Sequence, residues 1–329
     1  MDILKYLKMI RKNNIAFIAL TTKCNCRCLS CDMWKTSANA DANKLSEYGF
    51  DRLMNSDFSI LEFTGGEPLI LENTPQIIAS AKERDFFVQL MTNGTINSDK
   101  KMDGLLKSGV DMVCVSVDCH DNKRASAHRG FRNINESIKE TVRKLADRGI
   151  LLSSTTLITQ KNYYDIDKTI EFINNDLGMY FSFCPPDFSE NYKLGKNKSS
   201  VATSNEEMVD TSLKILEMKK NGYKILNTNA YIKDAIRWFS GQEPKYSCRA
   251  GKNMIYVDWN MKVYPCFIKK SICDLSELNK RRLKEIKCNQ CTFQCFREPS
   301  IFYHGSGRLE FARDAHQFLR VMRESRFFK

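Results

Sequence analysis

The residues with the most conspicuous chemistry are cysteines near the N-terminus. The chain of 329 residues contains 13 cysteines, and four of them lie between Cys24 and Cys31. Cys24, Cys28 and Cys31 have the spacing C-x3-C-x2-C. Zinc sites favour paired C-x2-C segments with four ligands, whereas three thiolates on one loop suit a cubane iron–sulfur cluster with one open iron. The spacing therefore predicts an iron–sulfur site, with a zinc or purely structural role as the alternative.

A second group of cysteines lies near the C-terminus. Cys288, Cys291 and Cys295 have the spacing C-x2-C-x3-C, and Cys248 and Cys266 precede them. A zinc knuckle is the alternative here, because zinc also binds C-x2-C. This group predicts a second metal centre.

The composition indicates a globular protein. Hydrophobic residues make up 42% of the chain, and 51 basic residues against 39 acidic ones give a net charge of +12. No apolar run approaches the roughly 20 residues of a membrane span, and Met1–Lys12 contains too many lysines for a signal peptide. Clustered thiols in a long cytosolic chain indicate metal ligands before disulfides. We therefore expect a cytoplasmic protein that does not bind membranes.

Short apolar strands alternate with amphipathic helical stretches from Ile15 to about residue 185, which predicts an α/β fold. Apolar rather than alternating strands are typical of buried parallel sheets. Active groups are then expected at the C-terminal ends of the strands. The predicted strands are Ile15–Leu20, Phe58–Phe63, Phe87–Met91, Met112–Val117, Leu151–Leu157 and Met179–Phe183. The predicted helices between them are Leu45–Met54, Thr74–Glu83, Ile134–Ala146 and Ile166–Asn174.

The rest of the chain predicts smaller elements. The polar stretch Pro185–Asn205 predicts a long loop or lid. Two helices, a strand pair and two terminal helices complete the prediction. The two helices are Glu206–Lys220 and Tyr231–Phe239, and the strand pair lies around Asp258–Asn260. The terminal helices are Met1–Lys12 and Arg308–Lys329. We expect Met1–Lys12 to cap the bottom of the barrel, with a lipid surface as the alternative.

A second motif, Thr64–Pro68 (TGGEP), lies at the end of the second predicted strand. Together with the first cysteine motif it resembles the radical S-adenosylmethionine (radical SAM) superfamily. The resemblance covers roughly residues 15–183, and its two leading motifs together are highly specific. One departure is Ser30, because the residue before the third cysteine is usually bulky or aromatic. We therefore expect Met33 or Trp34 to pack against the adenine instead.

The resemblance implies a partial (β/α)6 barrel, related to the TIM barrel, with a 4Fe-4S cluster on Cys24, Cys28 and Cys31. S-adenosyl-L-methionine would bind the open iron and be cleaved reductively to a 5′-deoxyadenosyl radical that abstracts hydrogen from the substrate. The residues implied in cofactor binding are Gly65, Gly66, Glu67, Pro68, Asn93, Ser116, Asp118 and Arg129.

Individual roles follow from the same resemblance. Gly65 and Gly66 would let the backbone approach the methionyl group. Glu67 would accept hydrogen bonds from its ammonium, and Arg129 would pair with its carboxylate. The polar residues at the following strand ends would meet the ribose hydroxyls; they are Asn93, Ser116 and Asp118.

The C-terminal cysteines resemble the auxiliary-cluster modules of this superfamily, called SPASM when long and twitch when short. Five cysteines, or six with Cys273, are too few for two clusters, which favours one auxiliary cluster of the 4Fe-4S type. The expected ligands are Cys248, Cys266, Cys288 and Cys291, with Cys295 as the rival for the last place. The remaining thiols are expected to be small core side chains; they are Cys26, Cys114, Cys119 and Cys184.

These features predict five regions. They are an N-terminal helix at 1–14, a radical SAM barrel at 15–205, linking helices at 206–240, an auxiliary-cluster domain at 241–299 and a basic C-terminal helix at 300–329.

The first functional hypothesis is a radical SAM oxidoreductase acting on a small polar metabolite. The second is modification of a ribosomally made peptide, which we rank lower because only 14 residues precede the first predicted strand. The third, of another class, is a zinc-stabilised nucleic-acid-binding module. Because the basic residues are scattered, we expect an acidic electron donor such as flavodoxin or ferredoxin rather than nucleic acid as the partner.

Overall fold

Six parallel strands form the central sheet of the computed structural model, which describes residues 14–186, 201–310 and residue 314. They follow one another across the sheet in chain order. This arrangement confirms the predicted α/β partial barrel. The strands are β1 (Asn14–Thr21), β2 (Phe58–Gly65), β3 (Phe87–Thr92), β4 (Met112–Ser116), β5 (Leu151–Leu157) and β6 (Phe183–Cys184).

Helices connect successive strands and cover the outside of the sheet. Those in the barrel are α1 (Ala42–Lys44), α2 (Phe50–Asn55), α3 (Thr74–Lys82), α4 (Asp99–Ser108), α5 (Asn122–Arg129), α6 (Ile134–Asp147) and α7 (Ile166–Glu171). Wider helical turns at Leu45–Gly49 and Phe172–Asp176 join α1 to α2 and extend α7. The sequence prediction found these segments except α1, α4 and α5, and the first turns of α4 and α5 are polar.

The two sides of the strands have different roles. Ile18, Leu61 and Val113 are fully buried in the main core with residues of the helices. Alternate residues share a face of a strand, so the intervening side chains line the inside of the barrel. Thr64 and Ser116 are among those in the wall of the internal cavity described below.

The cysteine-rich C-terminal region continues the same sheet. Its strands are β7 (Met254–Val257), β8 (Lys262–Tyr264) and β9 (Cys273–Asp274). Strand β7 runs parallel to β1, and β8 and β9 follow antiparallel. The predicted strand pair around Asp258–Asn260 is confirmed. The barrel and the predicted auxiliary domain thus share one sheet, and the predicted domain boundaries remain predictions.

An aromatic cluster joins this region to the inside of β1. The ring of Phe17 lies 5.2 Å from that of Phe296, and the ring of Phe267 lies 5.1 Å from Phe296 and 5.5 Å from Phe293. Tilted and edge-on contacts of this kind add to the stabilisation from apolar burial. The cluster therefore holds the second cysteine group against the barrel.

The helices that lie wholly within the described residues after β6 are α8 (Asn205–Lys220), α9 (Asn229–Phe239) and α10 (Gln294–Ile301). The first two confirm predicted helices, and α10 was not predicted. Among the described residues, no helix is both long and apolar enough to cross a membrane. The predicted helix Met1–Lys12, most of the predicted lid and most of the predicted helix Arg308–Lys329 lie outside the described residues.

A buried ion pair connects α10 to α9. Arg297 is 4% exposed, and its Nη2 donates to Oδ2 of Asp234 at 2.8 Å and to the carbonyl of Tyr246 at 2.6 Å. Its Nη1 donates to Asn289, between two of the C-terminal cysteines, at 3.0 Å. Removing one partner of such a pair leaves the other charge buried and uncompensated.

Replacing Arg297 with Met should therefore lower the free energy of unfolding by about 3 kcal/mol or more. Urea denaturation of the anaerobically reconstituted protein measures this change. Arg143→Met is the control, because Arg143 is 65% exposed in an ion pair along α6 and should change stability by under about 0.5 kcal/mol. Equal effects of the two variants would contradict the structural role of Arg297.

Candidate functional site

A cavity of about 260 Å³ opens at the C-terminal ends of the barrel strands. Its wall contains the three cysteines predicted for the first cluster. It also contains all but one of the predicted cofactor contacts: Gly65, Gly66, Pro68, Asn93, Ser116, Asp118 and Arg129. The exception is Glu67. The fold thus brings both sequence motifs to one site.

The thiols of the first cysteine loop interact directly. Cys26, predicted to be a small core residue, is buried, but its thiol hydrogen bonds to both Cys24 and Cys28. These hydrogen bonds lower the pKa of Cys28 and lower that of Cys24 to about 6, while burial raises the pKa of Cys31 to about 11. Thiolates are the form that binds metal. This donor set fits an iron–sulfur cluster held by Cys24, Cys28 and Cys31, so the chemistry of the residues present agrees with the cofactor.

The C-terminal end of α5 contacts the first cysteine loop through backbone hydrogen bonds. The backbone N–H groups of Arg27 and Leu29 donate to the carbonyls of Arg129 and His128 at 2.8 and 2.9 Å. Gly130 follows with a φ of 58°, where a Cβ atom would lie 2.8 Å from Cβ of Arg27. Only glycine fits this close approach without strain.

Gly65 and Gly66 let the β2 turn pack against the backbone that precedes the cysteine loop. The N–H of Gly66 donates to the carbonyl of Thr21 at 2.7 Å, and the N–H of Glu67 donates to Lys23 at 2.8 Å. A Cβ atom on Gly66 would lie 2.2 Å from the Lys23 carbonyl oxygen. The predicted reason for these glycines, space for the methionyl group, stays a prediction, and the geometry adds a second one, which is backbone contact within the protein.

Glu67 lies behind the cavity wall rather than in it. The side chain is fully buried, and its carboxylate accepts hydrogen bonds from Leu69 N at 3.0 Å, Thr92 Oγ1 at 2.9 Å and Asn93 N at 2.6 Å. Burial raises the pKa of Glu67 to about 7 although these hydrogen bonds oppose the shift. The expected contact with a cofactor ammonium therefore differs from the observed use of this carboxylate, which braces β2 against β3.

Asn93 contacts the cysteine loop. Its Nδ2 lies 2.9 Å from Oδ1 of Asn25, 3.3 Å from Sγ of Cys26 and 3.7 Å from Sγ of Cys24. The amide hydrogen bond is one cause of the lowered pKa of Cys24. Asn93 was predicted to meet a ribose, and the structure instead directs its amide to the thiols.

Asp118 and Arg129 form a buried two-contact ion pair. Nε of Arg129 donates to Oδ2 at 2.5 Å, and Nη2 donates to Oδ1 at 2.9 Å. Although burial raises the pKa of Asp118, the charge of Arg129 holds it below its usual range. Within the described part of the chain, Nη1 of Arg129 makes no hydrogen bond. Arg129 therefore makes with Asp118 the two-contact pairing that was predicted with a cofactor carboxylate. Its Nη1 remains available to a ligand.

Trp34 is the aromatic residue in the cavity wall, and Met33 is buried behind it. The guanidinium of Arg27 lies 4.8 Å from the centre of the Trp34 ring, a distance suited to cation–π stacking. Ser30, the unusual residue of the motif, is also in the wall, with its Oγ 3.3 Å from Nε2 of His128. Of the two residues expected to replace the missing aromatic group, only Trp34 reaches the cavity.

The second cysteine group also converges. The Cys248 and Cys288 thiols hydrogen bond to each other, Cys291 interacts electrostatically with Cys248, and Cys266 does so with Cys288. The hydrogen bond lowers the pKa of Cys288 to about 6. Cys273 and Cys295 do not join them in the same way: Cys273 lies near Arg282 and Glu277, and Cys295 interacts with Cys291 and with groups inside the barrel. The four thiols that interact with one another, those of Cys248, Cys266, Cys288 and Cys291, match the preferred ligand set and fit a second cluster.

The other cysteines have mixed positions. Cys114 and Cys119 are buried, as expected of small core residues. Cys184 lies in the cavity wall. Cys26 is in the core as predicted, but the sequence interpretation missed its hydrogen bonds to Cys24 and Cys28, which alternate with it on the same loop.

Comparisons with known proteins identify the family of the barrel domain. The model of the Radical SAM superfamily matches residues 18–173. A PqqA peptide cyclase of Granulibacter bethesdensis is 25% identical over 34% of this chain and 30% of its own length. A GTP 3′,8-cyclase of Chlorobaculum tepidum is 30% identical over 48% of this chain and 46% of its own length. The matched segments thus span less than half of these two relatives.

The fold is also that of solved radical SAM structures. The Streptococcus suis protein SuiB, bound to its precursor peptide SuiA, superposes with a TM-score of 0.66 at 14% identity, covering 84% of this chain and 67% of SuiB. That superfamily uses a 4Fe-4S cluster and S-adenosylmethionine. The convergent thiols of the cavity are appropriate ligands for such a cluster. Residues 18–173 of this chain are therefore a domain of the radical SAM superfamily.

Proposed function

We propose that this enzyme cleaves S-adenosylmethionine at a cluster held by Cys24, Cys28 and Cys31, and uses the product radical to abstract hydrogen from a peptide. The observation that carries the proposal is the convergence of these thiols with the Gly65–Gly66 turn on one cavity. When bound, the cluster supplies the electron that generates the 5′-deoxyadenosyl radical. The protein's own residues bind, orient and shield the reactants.

Each wall residue then has a role that follows from its contacts. Arg129, kept in place by Asp118, offers Nη1 to the carboxylate of the bound methionyl group. Gly65 and Gly66 present backbone groups to the same end. Trp34 packs against the adenine, while Ser116 lies at the end of β4, within reach of the ribose. Pro68 closes the wall beside the glycines.

Glu67 and Asn93 act as positioning residues in this proposal. Glu67 holds the N–H of Asn93, and Asn93 donates to the thiols of Cys24 and Cys26. Donors to thiolates stabilise their charged form. The pair therefore tunes the cluster ligands without touching the cofactor.

A peptide is the proposed substrate, because the relative from Granulibacter bethesdensis is a peptide cyclase by name. A small polar metabolite is the second candidate, favoured by the GTP cyclase relative. The net charge of +12 suits an acidic electron donor such as flavodoxin or ferredoxin.

The second cysteine group is proposed to hold an auxiliary cluster on Cys248, Cys266, Cys288 and Cys291. Four protein ligands would leave no iron open, so electron transfer is the chemical role that remains. The substrate radical would pass one electron to this cluster and release a proton, which completes the loss of two hydrogen atoms. Net oxidation is therefore the proposed outcome.

Replacing Cys24, Cys28 and Cys31 together with Ala should remove about four iron atoms per chain and abolish 5′-deoxyadenosine formation. Iron and sulfide analysis with a dithionite assay measures both, and the visible absorption of the C-terminal cluster should persist. The buried Cys119→Ala change is the control and should retain the iron. Cofactor cleavage by the triple variant would refute the proposed function.

Replacing Arg129 with Lys should weaken S-adenosylmethionine binding about tenfold, because a single ammonium cannot pair with Asp118 and the methionyl carboxylate in the same geometry. Calorimetry on the reconstituted protein gives the dissociation constant. Arg143→Lys, on the exposed face of α6, serves as the control. An unchanged affinity in Arg129→Lys would remove this residue from the cofactor site.

Co-expression with short peptides encoded beside its gene should yield one peptide lighter by two hydrogen atoms, detected by mass spectrometry. The Cys288→Ala, Cys291→Ala double variant, checked for folding by circular dichroism, should cleave the cofactor without forming that product. Full product formation by the double variant would leave the auxiliary cluster with a structural role. No modified peptide, together with turnover of a small metabolite, would favour the second candidate.

A further inference from the structure

A carboxylate without a partner lies inside the barrel, below the cofactor cavity. Glu62 is on β2, flanked by Phe17 of β1 and Gln89 of β3. It shares a strand face with Thr64, which lies in the cavity wall, because alternate residues of a strand point to the same side. Glu62 therefore occupies the next layer down on the inner face of the barrel.

Three thiols share this layer with Glu62. Cys114 of β4 and Cys295 of α10 each interact electrostatically with the Glu62 carboxylate. Cys184 of β6 interacts with both of these thiols and also lies in the cavity wall. We call this set of four residues the lumen layer. Since Cys184 belongs to both, the lumen layer adjoins the space where the radical chemistry is proposed.

The charge of Glu62 is not compensated by the protein. Among the described residues, its carboxylate forms no hydrogen bond or ion pair, and burial is the sole cause of a pKa raised to about 7. The side chain is half-buried, so it keeps contact with the internal space. Glu67 differs, because its carboxylate accepts three hydrogen bonds from its surroundings. An uncompensated carboxylate in such a place carries a free-energy cost unless a ligand pairs with it.

The charges of the site are divided between two levels. At the upper level, Arg129 neutralises Asp118 and acts on the thiols of the first cysteine loop. At the lower level, no cation among the described residues acts on Glu62. A molecule that enters from the cavity therefore meets a carboxyl group that is partly ionised near neutral pH and has no cation beside it, surrounded by thiols that are weak hydrogen-bond donors.

We propose that Glu62 is the substrate-recognition residue and that it pairs with a cationic nitrogen, an ammonium or guanidinium group, of the molecule that enters the lumen layer. This inference rests on the proposed radical chemistry and adds the substrate class, which is a peptide with a basic side chain next to the reacting carbon. A cationic nitrogen supplies both the missing charge and the missing hydrogen bonds. A hydroxyl group would supply only a hydrogen bond and leave the charge uncompensated.

Saturation-transfer NMR on the reconstituted full chain with S-adenosylmethionine tests the inference without the natural substrate. The probes are n-butylammonium, which resembles a lysine side chain, and n-butanol, which has a similar shape and no charge. The wild-type protein should bind n-butylammonium at least about fivefold more tightly than the Glu62→Gln variant does. Both proteins should bind n-butanol equally. Glu83→Gln, an exposed change after α3, is the matched control and should behave as wild type.

Equal binding of n-butylammonium to wild type and Glu62→Gln would overturn the inference, and so would equal affinity of the wild-type protein for the two probes. The second comparison needs no variant, so it still decides if Glu62→Gln fails to fold. Cleavage of S-adenosylmethionine by the wild-type protein is measured in parallel. Cleavage without an ammonium preference refutes the role of Glu62 alone, whereas absence of cleavage refutes the proposed function.

Discussion

Backbone hydrogen bonds on both sides of the first cysteine loop determine where the rest of the site can lie. On one side Glu67 N donates to Lys23, and on the other Arg27 N donates to Arg129. Gly66 and Gly130 allow these contacts, because a side chain at either position would collide with the loop. The four loop cysteines thus lie in the cavity wall with their backbone held on both sides, which lowers the ordering cost of binding.

Two pairs of polar residues lie around the loop, and they make different contacts. Glu67 accepts a hydrogen bond from the backbone of Asn93, and the side-chain amide of Asn93 contacts the thiol of Cys26. Asp118 and Arg129 face the cavity and neutralise each other, so the site can accept a zwitterionic group with little change in net charge. Mutation of the two pairs should therefore have different consequences: loss of cluster geometry for the first and loss of cofactor affinity for the second.

The sequence predicted the parallel strands, the two cysteine groups and the location of the cavity, because apolar runs and motif spacing are local signals. It did not predict α5, because the first turn of this helix is polar. Contacts with the cysteine loop hold the helix in place. The direction of Glu67 was also beyond reach, since its donors at Thr92 and Asn93 come from another strand. Cys26 is a core residue as predicted, but spacing alone could not show that its thiol lies between those of Cys24 and Cys28.

The shared sheet explains how a distant cysteine group can serve the same reaction. Pairing of β7 with β1, together with contacts among Phe17, Phe267 and Phe296, holds the region 248–295 against the inside of the barrel. Cys295 is consequently directed to the lumen layer, while Cys291 remains with Cys248. Cys295 interacts with both Cys291 and Glu62, so it connects the second cysteine group to the lumen layer. The contacts that separate Cys295 from the other C-terminal thiols are thus the same contacts that link the proposed auxiliary-cluster ligands to the inside of the barrel.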